Sequence, residues 1–138
     1  MTIETKITSA DLEAPILIST NTYADYFFVP ANITVLVDKY EATLQSGGSY
    51  NHNDYNCPSD KLEVYDDGSD LILFKLDQAY ESDLNDDEFV AQLNESCETS
   101  YTAQELNEIR SALFDVIINA QQLIKEAQDE AKAELELR

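Results

Sequence analysis

Imidazole and thiol are the side chains most often recruited for nucleophilic catalysis and zinc binding, and this chain has one His and two Cys. His52 and Cys57 lie five residues apart in NHNDYNC, a spacing that invites a nucleophile–base pair or a metal site. Structural zinc takes four ligands and catalytic zinc usually three. With Cys97 forty residues beyond Cys57, neither set is supplied, and His52 reads as an exposed loop residue without a role. Asp66-Asp67-Gly68-Ser69-Asp70 carries the Asp-Gly element of an EF-hand loop. Placing Gly68 at the sixth loop position puts Tyr65 at the third and Phe74 at the twelfth, where oxygen ligands are required; the motif fails.

Carboxylates are what the chain has in quantity. There are 28 Asp and Glu against 8 Lys and Arg, a formal net charge of −20 and a pI near 4.1. Glycosidases work with two carboxylates, but 28 of them allow any pair to be imagined, so the signal is empty. Gly47, Gly48 and Gly68 are the only glycines, and no phosphate-cradling loop is present. No catalytic signature emerges, and the expectation is a non-catalytic protein with no cofactor and no metal. Direct nucleic-acid binding is argued against by charge, since no basic patch exists to release counterions from phosphates.

The acids therefore matter as an electrostatic surface. Like charges 4 Å apart in water repel by roughly 1 kcal/mol, and a large net charge weakens the compact state. Salt adaptation and simple solubility are general explanations; a strongly basic partner is the specific one. Residues 1–60 hold eight acids and two bases, residues 61–138 twenty acids and six bases. A solvation requirement predicts uniformity, whereas a binding face predicts this bias. The segment ESDLNDDEFVAQLNESCE (81–98) has seven carboxylates and no Lys or Arg, yet Leu84, Phe89, Val90 and Leu93 run through it at helical spacing.

The elements that position these acids are expected to form one α+β domain over 1–138. The apolar fraction of 43% with five Phe and eight Tyr supports a packed core. ILIS (16–19) predicts a short buried strand, followed by a group of aromatics, Tyr23, Tyr26, Phe27 and Phe28. In residues 32–45, Ile33, Leu36, Val37, Tyr40 and Leu44 fit one helix face. The β-branched alternation Ile33, Val35, Val37 instead favours a strand over 33–37, and 38–45 stays open. Residues 46–60 read as a loop from composition. KLEVY and DLILFKL around Asp67-Gly68 predict a hairpin near 61–76 within a small antiparallel sheet. A short acidic helix is expected near 84–95, capped by Ser82 or Asp83, with acids in its first turn where the helix dipole favours them.

The clearest element is a long C-terminal amphipathic helix over about 102–136. Thr102-Ala-Gln-Glu105 is a capping box, and Leu106, Ile109, Leu113, Val116, Ala120, Leu123 and Ala127 step by three and four. At 1.5 Å per residue it spans roughly 50 Å. Phe114 and Ile118 lie off the stripe, which makes the helix middle apolar on two sides. Its length against so small a domain favours self-association, with Leu106, Ile109, Leu113, Phe114, Val116, Ile118 and Leu123 as core or dimer residues.

Glu108, Asp115, Glu126 and Asp129 fall on one side of that helix, away from the stripe. With Glu63, Asp66, Asp67 and Asp70, and with Glu81, Asp83, Asp86, Asp87 and Glu88, they are the candidate partner-binding acids. Tyr65, Tyr80 and Phe89 are the candidate interface aromatics. In size, composition and charge the chain resembles DNA-mimic inhibitors, small acidic proteins of phages and mobile elements that block restriction enzymes, CRISPR effectors and other DNA-binding proteins. That resemblance implies an inhibitor occupying the nucleic-acid channel of a basic partner. Two other readings are an immunity protein or antitoxin against a basic nuclease, and an acidic helical adaptor. MTIETKITSADLEAP lacks the basic start and apolar core of a signal peptide, and no apolar run approaches a membrane span. The expected location is the cytoplasm of a bacterial host, with both cysteines as free thiols.

Overall fold

The computed structural model describes residues 3–14, 16–18, 26–51 and 55–136. Strands fill the first half of the chain and helices the second. Four antiparallel strands form the main sheet in the order β1 (Thr5–Leu12), β4 (Ala31–Val37), β5 (Tyr40–Asn51), β6 (Tyr55–Val64). A separate antiparallel ribbon joins β2 (Ile16–Ile18) and β3 (Tyr26–Phe28). The expected α+β class with an antiparallel sheet is what forms.

The alternation at 33–37 decides β4. Ile33, Val35 and Val37 are fully buried, while Asn32 is exposed. Ile33 pairs with Leu44 and Val35 with Ala42, so apolar partners share the covered face and reinforce one register. Residues 38–45 become a two-residue turn, Asp38-Lys39, and the start of β5. Asp38 takes a left-handed φ of 56°, which Asp tolerates better than most residues. Its N–H donates to the Glu4 carbonyl at 2.7 Å.

Two expectations need correction. Residues 46–60 are not a loop. The β5–β6 ladder continues outward through Gly48–Pro58 to Asn51–Tyr55. Ladder bonds come from the backbone, so a Gly-rich polar composition does not stop them once Leu44–Val64 has set the register. Pro58 is tolerated because β6 is the sheet edge. His52 lies outside the described residues, as do Tyr23 and the side chains of Tyr26, Phe27, Phe28 and Cys57.

The second correction concerns the hairpin near 61–76. Only its first arm is a strand; Leu71–Gln78 is a helix, α1, with Asp70 as its N-cap residue. Ile72, Leu73, Leu76 and Ala79 are buried, a spacing of three and four that a short apolar run hides. LILFKL has one β-branched residue, and leucine favours helix. Gly68 does not take positive φ. Its need for no side chain is steric: a Cβ there would meet Thr43 Oγ1 at 3.0 Å and Tyr65 Cδ1 at 3.2 Å. Residues 65–70 dock against β5. Tyr65 N–H donates to the Thr43 carbonyl at 2.8 Å and Asp70 N–H to the Glu41 carbonyl at 2.8 Å. Glu41 N–H in turn donates to Asp70 Oδ2 at 2.7 Å.

A 3₁₀ turn at Glu81–Asn85 precedes α2 (Asp87–Cys97). The expected acidic helix is present, but its cap is Asp86, which accepts from Glu88 N–H at 3.0 Å. Asp83 instead serves the 3₁₀ turn, accepting from Tyr80 N–H at 2.9 Å. Glu98 ends α2 in the left-handed region, φ 55°. Asn94 ties α2 to the following chain, donating to the Tyr101 carbonyl and accepting from Tyr101 N–H and Thr99 Oγ1.

The last helix, α3 (Ala103–Glu136), runs 34 residues. Its capping box forms in both directions: Glu105 N–H donates to Thr102 Oγ1 at 3.1 Å and Thr102 N–H to Glu105 Oε1 at 2.9 Å. Leu106, Ile109, Leu113, Val116 and Ala120 face the sheet and are buried, as are Ile117 and Ile124. Leu123 is only part-buried. A straight helix drifts about 20° per heptad against a strict seven-residue repeat, which brings Ile124 in place of Leu123. Leu106, Ile109, Leu113 and Val116 are thus core residues of one chain and leave no free heptad seam. Phe114 packs at the core margin, and Ile118 is 62% exposed.

Candidate functional site

The acids of 63–88 ride on consecutive elements in mutual contact: the end of β6, α1, the 3₁₀ turn and α2. Glu63, Asp66, Asp67, Asp70, Glu81, Asp86, Asp87 and Glu88 are exposed, and Asp83 is part-buried. Three of them also hold the scaffold. Asp70 accepts from β5, Asp83 caps the 3₁₀ turn and Asp86 caps α2. Free N–H groups and the helix dipole offset part of the mutual repulsion at α2. Asp70 and Asp86 are therefore fixed in position by backbone bonds while exposed, and Asp83 is fixed and part-buried.

The α3 acids form a second set. Asp115, Glu126 and Asp129 are exposed and Glu108 part-buried, on the side of α3 opposite the buried stripe. Glu108 and Asp115 border a separate open depression with Ile3 and Ser111. The first set borders different hollows.

The aromatics divide. Tyr80 is 75% and Tyr65 40% exposed, so both present ring surface next to acids. Phe89 packs partly against the core and lines a hollow of about 310 Å³ between α1 and α2, with Phe74, Ala79 and Leu93. Across α1 a second hollow of about 730 Å³ is lined by Glu63, Tyr65, Asp66, Phe74 and Asp77, with Lys61. Phe74 and Gln78 border both hollows.

The sequence singles out neither Asp77 nor Gln78, and offers Phe74 only at a failed calcium-ligand position and in the second arm of the expected hairpin. Reading 70–76 as a strand conceals that they share a helix face, and a period of three to four among Ile72, Leu73, Leu76 and Ala79 is the signal that finds them. Burial pushes the Asp77 carboxyl above its ordinary range, and neighbouring Glu63 adds to the effect; the Val64 backbone and Arg110 pull partly back.

Cations are used inside the fold. Arg110 on α3 donates to the Ala79 carbonyl at 2.9 Å and lies 4.4 Å from the Phe114 ring centre. Tyr40 and Tyr101 share a 2.6 Å hydroxyl contact; burial and that hydroxyl hold the Tyr40 phenol well above its usual range. Cys97 is a free, part-buried thiol. Burial pushes its pKa up, with Lys75 opposing, the reverse of an activated nucleophile.

Among the described residues no three His, Cys, Asp or Glu side chains gather closely enough to hold a metal ion. No helix among them is long and apolar enough to cross a membrane. No protein-family model, curated protein or solved structure matches the chain.

Proposed function

We propose that this protein is a non-catalytic inhibitor that presents ordered carboxylates to the nucleic-acid-binding surface of a basic protein, in the manner of a DNA mimic. The observation that carries the reading is the anchoring of acids in the 63–88 segment. Asp70, Asp83 and Asp86 are held by backbone N–H groups at 2.7–3.0 Å, with Asp87, Glu88 and Glu81 exposed beside them. Duplex DNA carries one charge per about 1.7 Å of axis, and a channel shaped to grip it attracts a rigid anionic surface by the same forces. Restriction enzymes, CRISPR effectors and other DNA-handling proteins of a bacterial cytoplasm are the target class. An immunity protein acting on one basic nuclease works through the same surface.

A homodimer through α3 is not required. The main apolar stripe is covered within the monomer, and off that stripe Ile118 is the exposed large apolar residue of α3 among the described residues. The test is affinity capture from a bacterial lysate at low salt with a salt-step elution, repeated with Asp86, Asp87 and Glu88 all changed to Lys. The reading expects a basic DNA- or RNA-handling protein in the eluate and its loss with the charge-reversed chain. Capture that is indifferent to the reversal contradicts it and leaves the adaptor reading.

A further inference from the structure

We propose that the paired hollows on either side of α1 form an anchor groove for a basic amphipathic segment of the partner, an apolar side chain seating between α1 and α2 and a neighbouring Lys or Arg in the carboxylate-lined hollow beyond Phe74. This deepens the interface reading above and rests on it.

The α1–α2 hollow is floored by Phe74, Ala79, Phe89 and Leu93. Phe74 and Phe89 leave part of their rings uncovered, so the floor is apolar area that folding has not removed from water. A cavity of about 150 Å³ holds a benzene ring; one of about 310 Å³ admits a large apolar side chain. Charge identifies what accompanies that side chain. Asp83 lines the first hollow, and Glu63, Asp66 and Asp77 the second, against Lys75 and Lys61: four carboxylates to two ammonium groups, in a chain of net charge −20.

The second hollow suits a cation in particular. The Tyr65 and Phe74 rings stand among its carboxylates, and an Arg or Lys gains from aromatic faces as well as from opposite charge. Burial and the Asp77–Glu63 repulsion both disfavour the charged acid there, and an arriving cation offsets that repulsion. Because Phe74 and Gln78 border both hollows, the two seats are adjacent. A helix carrying apolar and basic residues three or four positions apart, with side chains about 5–6 Å from one another, spans them.

Two synthetic helical peptides of equal charge test this on the full chain at low salt, one built of Lys and Leu at three- and four-residue spacing, the other with every Leu replaced by Ala. The groove predicts that the Leu peptide binds about tenfold more tightly by calorimetry. Its amide shifts in nuclear magnetic resonance should centre on Phe74, Gln78, Phe89 and Ser96. Ser96 is exposed and lines the apolar hollow, so Ser96→Trp should fill it and erase the tenfold margin; Gln92→Trp is a second filler if the first disturbs the fold. Equal, salt-sensitive binding of both peptides overturns the groove and leaves the acidic interface standing. A margin that survives both fillers, or shifts centred on α3, also overturns it. If neither peptide binds, both proposals fall.

Discussion

Asp77 sits part-buried on α1 with Glu63 nearby, and both burial and that neighbour favour its protonated form. Its folded pKa therefore lies above the unfolded one. The associated stability is fully present below the unfolded pKa and is lost as pH rises through the folded value. Asp77→Asn is expected to raise the melting temperature at neutral pH, with the advantage fading as pH falls through the raised folded pKa and gone below the ordinary Asp value of 3.8; thermal melts across pH check it. At Glu98 the strain is in the backbone. A non-glycine residue holds φ 55° at the C-terminus of α2, and its negative charge opposes the helix dipole. Glu98→Gly should stabilise the fold by about 0.5–1 kcal/mol in urea denaturation. Neither site stands out in the sequence, because each effect depends on a neighbour or a φ value supplied by tertiary structure. Thr102 and Glu105 were legible, since a capping box is a local pattern four residues long.

Elements were legible in proportion to their periodicity. Seven apolar residues from Leu106 to Ala127 at three- and four-residue steps leave no alternative to helix for α3, and Ile33, Val35 and Val37 alternate cleanly enough for β4. Residues 71–76 did not announce themselves: six residues cover less than two helical turns, and an apolar run of that length fits a strand or a buried helix equally. That one ambiguity hid half of the candidate groove. The sequence also cannot show that the Leu106 stripe is spent on the chain's own sheet, so the seam expected for a partner helix is the monomer's core. Thr102→Ala removes the bond that the Thr102 hydroxyl accepts from Glu105 N–H and should cost about 1 kcal/mol, read as a lower urea midpoint with an unchanged slope. Gly68→Ala forces a Cβ to 3.0 Å from Thr43 Oγ1. It should lower the melting temperature, although no positive φ is involved.

At the scale of the molecule, a net charge of −20 places the fold under continuous self-repulsion. The Debye length falls from about 10 Å at 0.1 M salt to 3 Å at 1 M, so added sodium chloride should raise the melting temperature steadily over that range. The same salt should weaken the proposed complex, because steering and charge complementarity are screened. Stability and partner affinity moving in opposite directions with salt is what a working anionic surface predicts; acidity kept only for solubility predicts the first trend without the second. The central claim, occupation of a nucleic-acid channel, is tested most directly by competition. The captured partner is loaded with fluorescent duplex DNA and, in parallel, with RNA, and this protein is titrated in while polarisation is followed. The account predicts complete displacement of the nucleic acid with no ternary complex. Polarisation that rises or stays constant as this protein binds, showing both ligands held together, would contradict it.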